Sequence, residues 1–159
     1  MLSKSADIKL VCYKPGELLE SRILVMLTKL DKDYIPPISS QTPLVPYAQK
    51  LAQNADIILV ENNCENVGLC AIYTNIPPLA FITSIGLLQS VQGQGLGADL
   101  IHLACNISSE KGCTRIGLEV HQHNKKAQEF YIRKGFSVCD KVLTIAERRE
   151  LFLYMEREI

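Results

Sequence analysis

The chain has no excess of charge of either sign: 17 Lys and Arg stand against 17 Asp and Glu over 159 residues. Without a net field it has little means of holding a polyanion or an anionic bilayer by counterion release, so no nucleic-acid or membrane partner is expected. It also lacks a long apolar run. Met1 to Leu10 alternates polar and apolar residues, unlike a secretory signal or a spanning helix, and the expected location is cytoplasmic. The six cysteines include no CxxC pair. Scattered at Cys12, Cys64, Cys70, Cys105, Cys113 and Cys139, they supply neither the spaced ligands of a zinc site nor, without an export signal, a disulfide framework. No metal is expected. Internal repeats and low-complexity tracts are missing too, and the one proline-rich stretch, 33–40, is too short and apolar to join two domains.

What is present is a globular composition, 47% hydrophobic and 21% charged, in a length that suits one domain over residues 1–159. Ile8 to Cys12 reads as a strand, and after Pro15-Gly16 the residues Leu19, Ile23, Met26, Leu27 and Leu30 recur at helical spacing. Leu44, Ala48, Leu51 and Ala55 predict a second helix. Asp56 to Glu61 and Val67 to Tyr73 flank a turn-rich segment and predict an antiparallel hairpin. Phe81 to Leu88 is the next strand, followed by a glycine loop and a helix striped by Leu96, Leu100, Leu103, Ala104 and Ile107. Arg115 to Val120 is a strand, Lys125 to Lys134 a helix capped by Asn124 and closed by Gly135, and Phe136 to Val142 a further strand. Leu151 to Met155 closes the sheet. Its apolar side chains fit either pairing with a second subunit, as a homodimer, or burial in the protein's own core.

The informative unit is strand, loop, helix, with the loop reading Gln92-Gly93-Gln94-Gly95-Leu96-Gly97. Such a turn offers unpaired N–H groups at the positive end of a helix dipole, where a phosphate or pyrophosphate binds. A Walker A loop needs Gly-Lys-Ser/Thr where this chain has Gly97-Ala98-Asp99, and a dinucleotide fold needs the loop near the N-terminus after a parallel start. Neither fits.

Gln92, Gly95 and Gly97 resemble the acetyl-coenzyme A loop of the GNAT acetyltransferases, whose pattern is Gln/Arg-x-x-Gly-x-Gly/Ala. A second signature of that family is matched by Leu118-Glu119-Val120, Asn124, Ala127, Phe130-Tyr131 and Gly135-Phe136. The resemblance implies an α/β (α+β) domain with a mixed, mostly antiparallel sheet of about six to seven strands and four helices. Its central strands, here Phe81 to Leu88 and Arg115 to Val120, should splay. It further implies that acetyl-coenzyme A is the co-substrate, with Leu87, Leu88 and Gln89 lending backbone groups to its arm. Gln92, Gly93, Gln94, Gly95, Leu96 and Gly97 would surround the pyrophosphate, and Asn124 would contact the cofactor. Tyr131 matches the family's general acid. Glu119, alternating with Leu118 and Val120, is the leading base, with Glu61 and His121 in reserve. In the ribosomal-protein alanine acetyltransferases, which the chain resembles in this triplet, a Glu in the same setting serves as base.

Residues 30–50 would read the acceptor. Tyr34, Pro36, Pro37, Ser39, Ser40 and Tyr47 make an apolar, hydroxyl-rich wall with few charges. With Glu61 as a further substrate-binding candidate, that wall suits a small uncharged or weakly polar amine such as an amino sugar. Two alternatives are a protein N-terminus as acceptor and a non-catalytic acyl-coenzyme A sensor.

Overall fold

Ile57, Ile58, Leu59 and Val60 are consecutive apolar residues, a pattern that suits a strand covered on both faces. Each is at most 1% exposed. Ile58 and Val60 join one core cluster while Ile57 and Leu59 join another on the opposite face. The sheet around this strand is thus packed on two sides, each fully buried aliphatic side chain contributing about 1.5–3 kcal/mol.

The computed structural model describes residues 7–139 and 151–159. Among these, the strands are β1 (Ile8–Tyr13), β2 (Asp56–Asn62), β3 (Glu65–Tyr73), β4 (Leu79–Leu87), β5 (Arg115–His121), β6 (Ser137–Val138) and β7 (Phe152–Glu158). The helices are α1 (Glu20–Leu30), α2 (Leu44–Asn54), α3 (Leu96–Glu110) and α4 (Lys125–Arg133). The described strands form one sheet in the order β1-β2-β3-β4-β5-β7-β6. Every pairing is antiparallel except β4 with β5. The cluster against one face carries Ile23, Met26, Leu27 and Leu30 of α1 with Ala48 and Leu51 of α2. The other face carries Leu96, Leu100, Ile101 and Ala104 of α3 with Tyr131 of α4. None of the described helices is long and apolar enough to cross a membrane.

Several local features follow from residue chemistry. The β2–β3 hairpin turns through Asn63 and Cys64, at φ 50° and 67°, a left-handed pair that Asn tolerates better than most residues. Pro46 is accommodated because it lies in the first turn of α2, where no helical N–H is lost. Buried Asp56 opens β2, accepts from Thr74 Oγ1 at 2.7 Å, and holds the Lys111 ammonium just past α3 at 2.7 and 2.8 Å.

Two expectations need correction. Leu19 is not on the buried stripe of α1; it precedes the helix and is 71% exposed. Phe136 ends α4 rather than beginning a strand: Gly135 sits at φ 90° and donates to Ile132 O, while Phe136 N donates to Tyr131 O. That is a Schellman closure, and it buries the Phe136 ring. β6 is therefore confined to two residues among those described, and 140–142 of the expected strand lie outside them. β7 pairs with β5 along its length and with β6 near its middle, and its Tyr154 and Met155 are buried.

Candidate active site

Two irregularities in β4 build the site. Opposite β3 the register passes from Ala71↔Ser84 to Ile72↔Ile82, which leaves Thr83 as an extra, bulged residue. The parallel ladder to β5 covers only Leu79–Ile82 against Arg115–Leu118. Beyond it β4 continues to Leu87 beside β3, and β5 continues to His121 beside β7, with no pairing between them. The expected splay is present, and the backbone edges that face the gap are free of ladder partners.

A cavity of about 590 Å³ occupies this gap. β4 contributes Thr83 to Leu87, β5 contributes Leu118 to His121, and Gln92, Asn124, Ala127 and Tyr131 line it from the loop and α4. The α1–α2 connection covers it with Asp33 to Pro36, Ile38, Gln41 and Thr42, and α2 adds Tyr47. Tyr34 donates to or accepts from Ser84 Oγ at 2.8 Å, and Tyr47 engages Thr83 through Oγ1 at 2.8 Å and O at 3.2 Å. Both tyrosines are thus pinned to the bulge. Ser39 and Ser40 turn elsewhere. Ser39 gives its N–H and hydroxyl to the Asp31 carboxylate, at 2.9 and 2.5 Å, and Ser40 bonds Pro37 O. These bonds hold the Asp31 carboxyl below its ordinary range. Asp31→Ala should free this covering segment, raising the acceptor KM several-fold while the Kd of acetyl-coenzyme A stays unchanged. Steady-state kinetics and hydrogen exchange over residues 31–41 would check it.

At the loop, Gly93 and Gly95 adopt φ 80° and 81°, where any side chain is strained. The first amide that α3 uses is that of Asp99, bonded to Gly95 O at 3.2 Å. The amides before it fall among those a helix N-terminus leaves without intrahelical partners. Gly97 is needed for another reason, since a Cβ there would stand 3.0 Å from Phe130 Cζ. Leu96 contributes only backbone to the loop, because its side chain is buried in the core. Gln92 Nε2 reaches back to Leu87 O at 2.9 Å. Asn124 caps α4, accepting from Ala127 N at 3.2 Å, and also lines the cavity.

Tyr131 is 9% exposed. Its ring packs edge-on against Phe130 and Phe136, with centroids 5.3 and 5.7 Å away. Burial pushes its phenol above the ordinary value, as it does for Tyr34 and for the Cys70 thiol. A group whose folded pKa is raised stabilises the fold fully below its unfolded pKa and loses that contribution as pH rises towards the folded value. The ordinary values are 9.0 for Cys70 and 10.0 for the tyrosines. Urea midpoints should therefore hold steady to about pH 9 and fall progressively above it; an unchanged midpoint in strong alkali would contradict the burial of these groups.

Glu119 lines the cavity opposite Tyr154 of β7. His121 lines it too, but His123 N donates to His121 Nδ1 at 3.1 Å. That bond occupies Nδ1 as an acceptor and places the neutral ring's proton on Nε2. Glu61 is outside the cavity lining, held by Arg22 at 3.4 Å, with β3 and β4 between its strand and β5. Leu88 and Gln89 also fall outside. Leu88 N bonds Val67 O, and the carbonyls of Leu88 and Gln89 accept from Val91 and Gln92. Of the three residues expected along the arm, Leu87 alone lines the cavity.

Residues that periodicity missed are Asp33, Gln41, Thr42, Phe81, Thr83, Ser84 and Phe152. Thr83-Ser84, a polar pair inside an apolar strand, was a readable sign of the bulge. Phe152 had none, since only the insertion of β7 beside β5 brings it there.

A mixed sheet whose two central strands splay, followed by a glycine loop that opens a helix, defines the class of fold. The profile of the acetyltransferase (GNAT) family matches residues 24–136, and the chain belongs to that family. An uncharacterized N-acetyltransferase of Mycobacterium tuberculosis is 33% identical over 57 residues, 36% of each chain. The chain thus matches about a third of that relative's length. Streptothricin acetyltransferase A of Bacillus subtilis is 26% identical over 110 residues, 69% of this chain and 62% of that one. A GNAT acetyltransferase of Elizabethkingia anophelis, solved with acetyl-CoA bound, shares the fold with a TM-score of 0.68 at 14% identity, over 98% of this chain and 100% of that one. The residues here fit such a cofactor: glycines where a Cβ would be strained, loop amides unused by α3, and unpaired strand edges along the slot.

Proposed function

We propose that the protein transfers the acetyl group of acetyl-coenzyme A to the primary amine of a small molecule, an amino sugar or a compound of similar size. One observation carries this reading: Gln92 at the start of the glycine loop, Tyr131 and Glu119 line a single cavity together with Asp33 to Pro36, Ile38, Gln41 and Thr42 of the α1–α2 connection. Acetyl-coenzyme A supplies an activated thioester that a neutral amine can attack. The loop amides from Gly93 to Gly97 hold its pyrophosphate, and Asn124 and the Leu87 backbone border its arm. Glu119 takes the proton that an ammonium must lose before it can attack. Tyr131, kept protonated by burial, gives a proton to the departing sulfur. Tyr34 and Tyr47 orient the acceptor against the bulged strand.

The covered acceptor end favours a compact amine over an extended polypeptide, and the name of the Bacillus relative points the same way. The Leu118-Glu119-Val120 triplet favours acetylation of a protein N-terminus instead. A sensor that merely binds the cofactor has no use for an acid and a carboxylate in the same cavity. The test is incubation with acetyl-coenzyme A and a panel of amino sugars, amino acids, polyamines and N-terminal peptides, read by mass spectrometry. A small acetylated amine supports the proposal. Acetylated peptides alone, or cofactor binding with no product, would replace it.

A further inference from the structure

The charged side chains that line the cavity are acidic. Among the described residues that line the cavity there are two carboxylates, Asp33 and Glu119, and not one Lys or Arg. The two stand on different walls, Asp33 in the short helical turn after α1 and Glu119 on β5. Asp31, two residues earlier, is spent on Ser39. Asp33 is exposed at the mouth and, among the described residues, has neither a hydrogen bond nor an ion pair. The rings of Tyr34, Tyr47, Phe81 and Phe152 are further lining. Aromatic faces attract ammonium groups and repel anions.

Resting on the small-amine reading, we propose that the acceptor carries a second positive charge. Its reacting ammonium is received at Glu119 and its second cationic group at Asp33. The local sequence suggests a weakly polar acceptor because the 33–50 segment has few charges. The folded chain alters that balance, carrying Asp33 into the lining and leaving Lys32 outside it. Lys29 and Lys32 line a neighbouring depression together with Asp33, so the attraction at Asp33 is short-ranged.

The step balances. The Glu119 carboxylate takes one proton from the reacting ammonium. The amine nitrogen then forms the N–C bond as the C–S bond breaks, the sulfur leaves as coenzyme A thiol with a proton from Tyr131, and the second proton lost by the nitrogen returns to the Tyr131 phenolate through solvent. The product amide is neutral, so one of the two charge contacts is lost on acetylation. That loss favours product release.

The test compares diamines, diamino acids and diamino sugars with analogues in which the second amine is replaced by hydroxyl. The dicationic member of each pair should show a kcat/KM at least fivefold higher at about 50 mM salt, with the ratio shrinking at about 500 mM. Asp33→Asn should bring the ratio towards one, and Asp33→Glu should restore part of it. Equal turnover of matched pairs, or a ratio unaltered by Asp33→Asn, would overturn the inference while leaving small-amine acetylation intact. If both members of every pair are inert and N-terminal peptides are acetylated, the small-amine reading falls and this inference with it.

Discussion

Tyr131→Phe should lower kcat by about 10²-fold or more while leaving the Kd of acetyl-coenzyme A within about twofold of the parent, since a positioned general acid typically contributes 10²–10⁴ in rate. The substitution separates two roles of one side chain. The ring fills a cluster with Phe130 and Phe136, and Phe preserves that packing. Only the hydroxyl is removed. Tyr131 has burial as the leading cause of its raised phenol, so the group is protonated through the neutral range and no alkaline limb of kcat near pH 8 should arise from it. A hundredfold loss corresponds to about 2.7 kcal/mol of transition-state stabilisation. A Tm near the parent's would show that the loss is not one of folding. Unchanged turnover would reduce Tyr131 to a packing residue and leave the sulfur to take its proton from solvent.

Lys111→Met should destabilise the fold by about 3 kcal/mol, because removing one partner of a buried pair leaves an uncompensated charge. The Asp56 side chain is 4% exposed, and the Lys111 ammonium sits 2.7 Å from it. After the substitution the Thr74 hydroxyl at 2.7 Å remains as a donor to the carboxylate, too little to replace a cation. At about 2–4 °C per kcal/mol for a chain of this size, Tm should fall by roughly 6–12 °C. Adding Asp56→Asn should recover part of the loss, and the double-mutant cycle would isolate the coupling. Catalysis in the surviving folded protein should change little. The tie joins the start of β2 to the end of α3, whereas the glycine loop stands at the opposite end of that helix. A stability unchanged by Lys111→Met would mean that the carboxylate is well solvated by water.

Much of the site was legible because its chemistry is local. Gly93 and Gly95 adopt left-handed backbone, and Asn124 and Gly135-Phe136 start and stop α4 through bonds within a few residues of themselves. Tyr131 could be singled out through the family motif it resembles, and Glu119 through that resemblance together with strand alternation. The buried strand 57–60 was evident from its unbroken apolar run, and the order of strands and helices followed from periodicity.

What lay beyond the sequence depends on pairings between distant segments. Thr83 is bulged because of its register with β3, and the slot exists because β4 and β5 part after four paired residues. Glu61 is remote because two strands intervene before β5, and β7 is interior because it inserts beside β5. Leu88 and Gln89 spend their backbone groups on Val67 and on the turn that follows, and His121 accepts a hydrogen bond that decides its tautomer. Asp33 becomes part of the acceptor wall only when the α1–α2 connection folds over the gap. Residue spacing determines local conformation and the face a side chain presents. The neighbour it meets is decided by sheet order, register and loop closure, and those are properties of the whole folded chain.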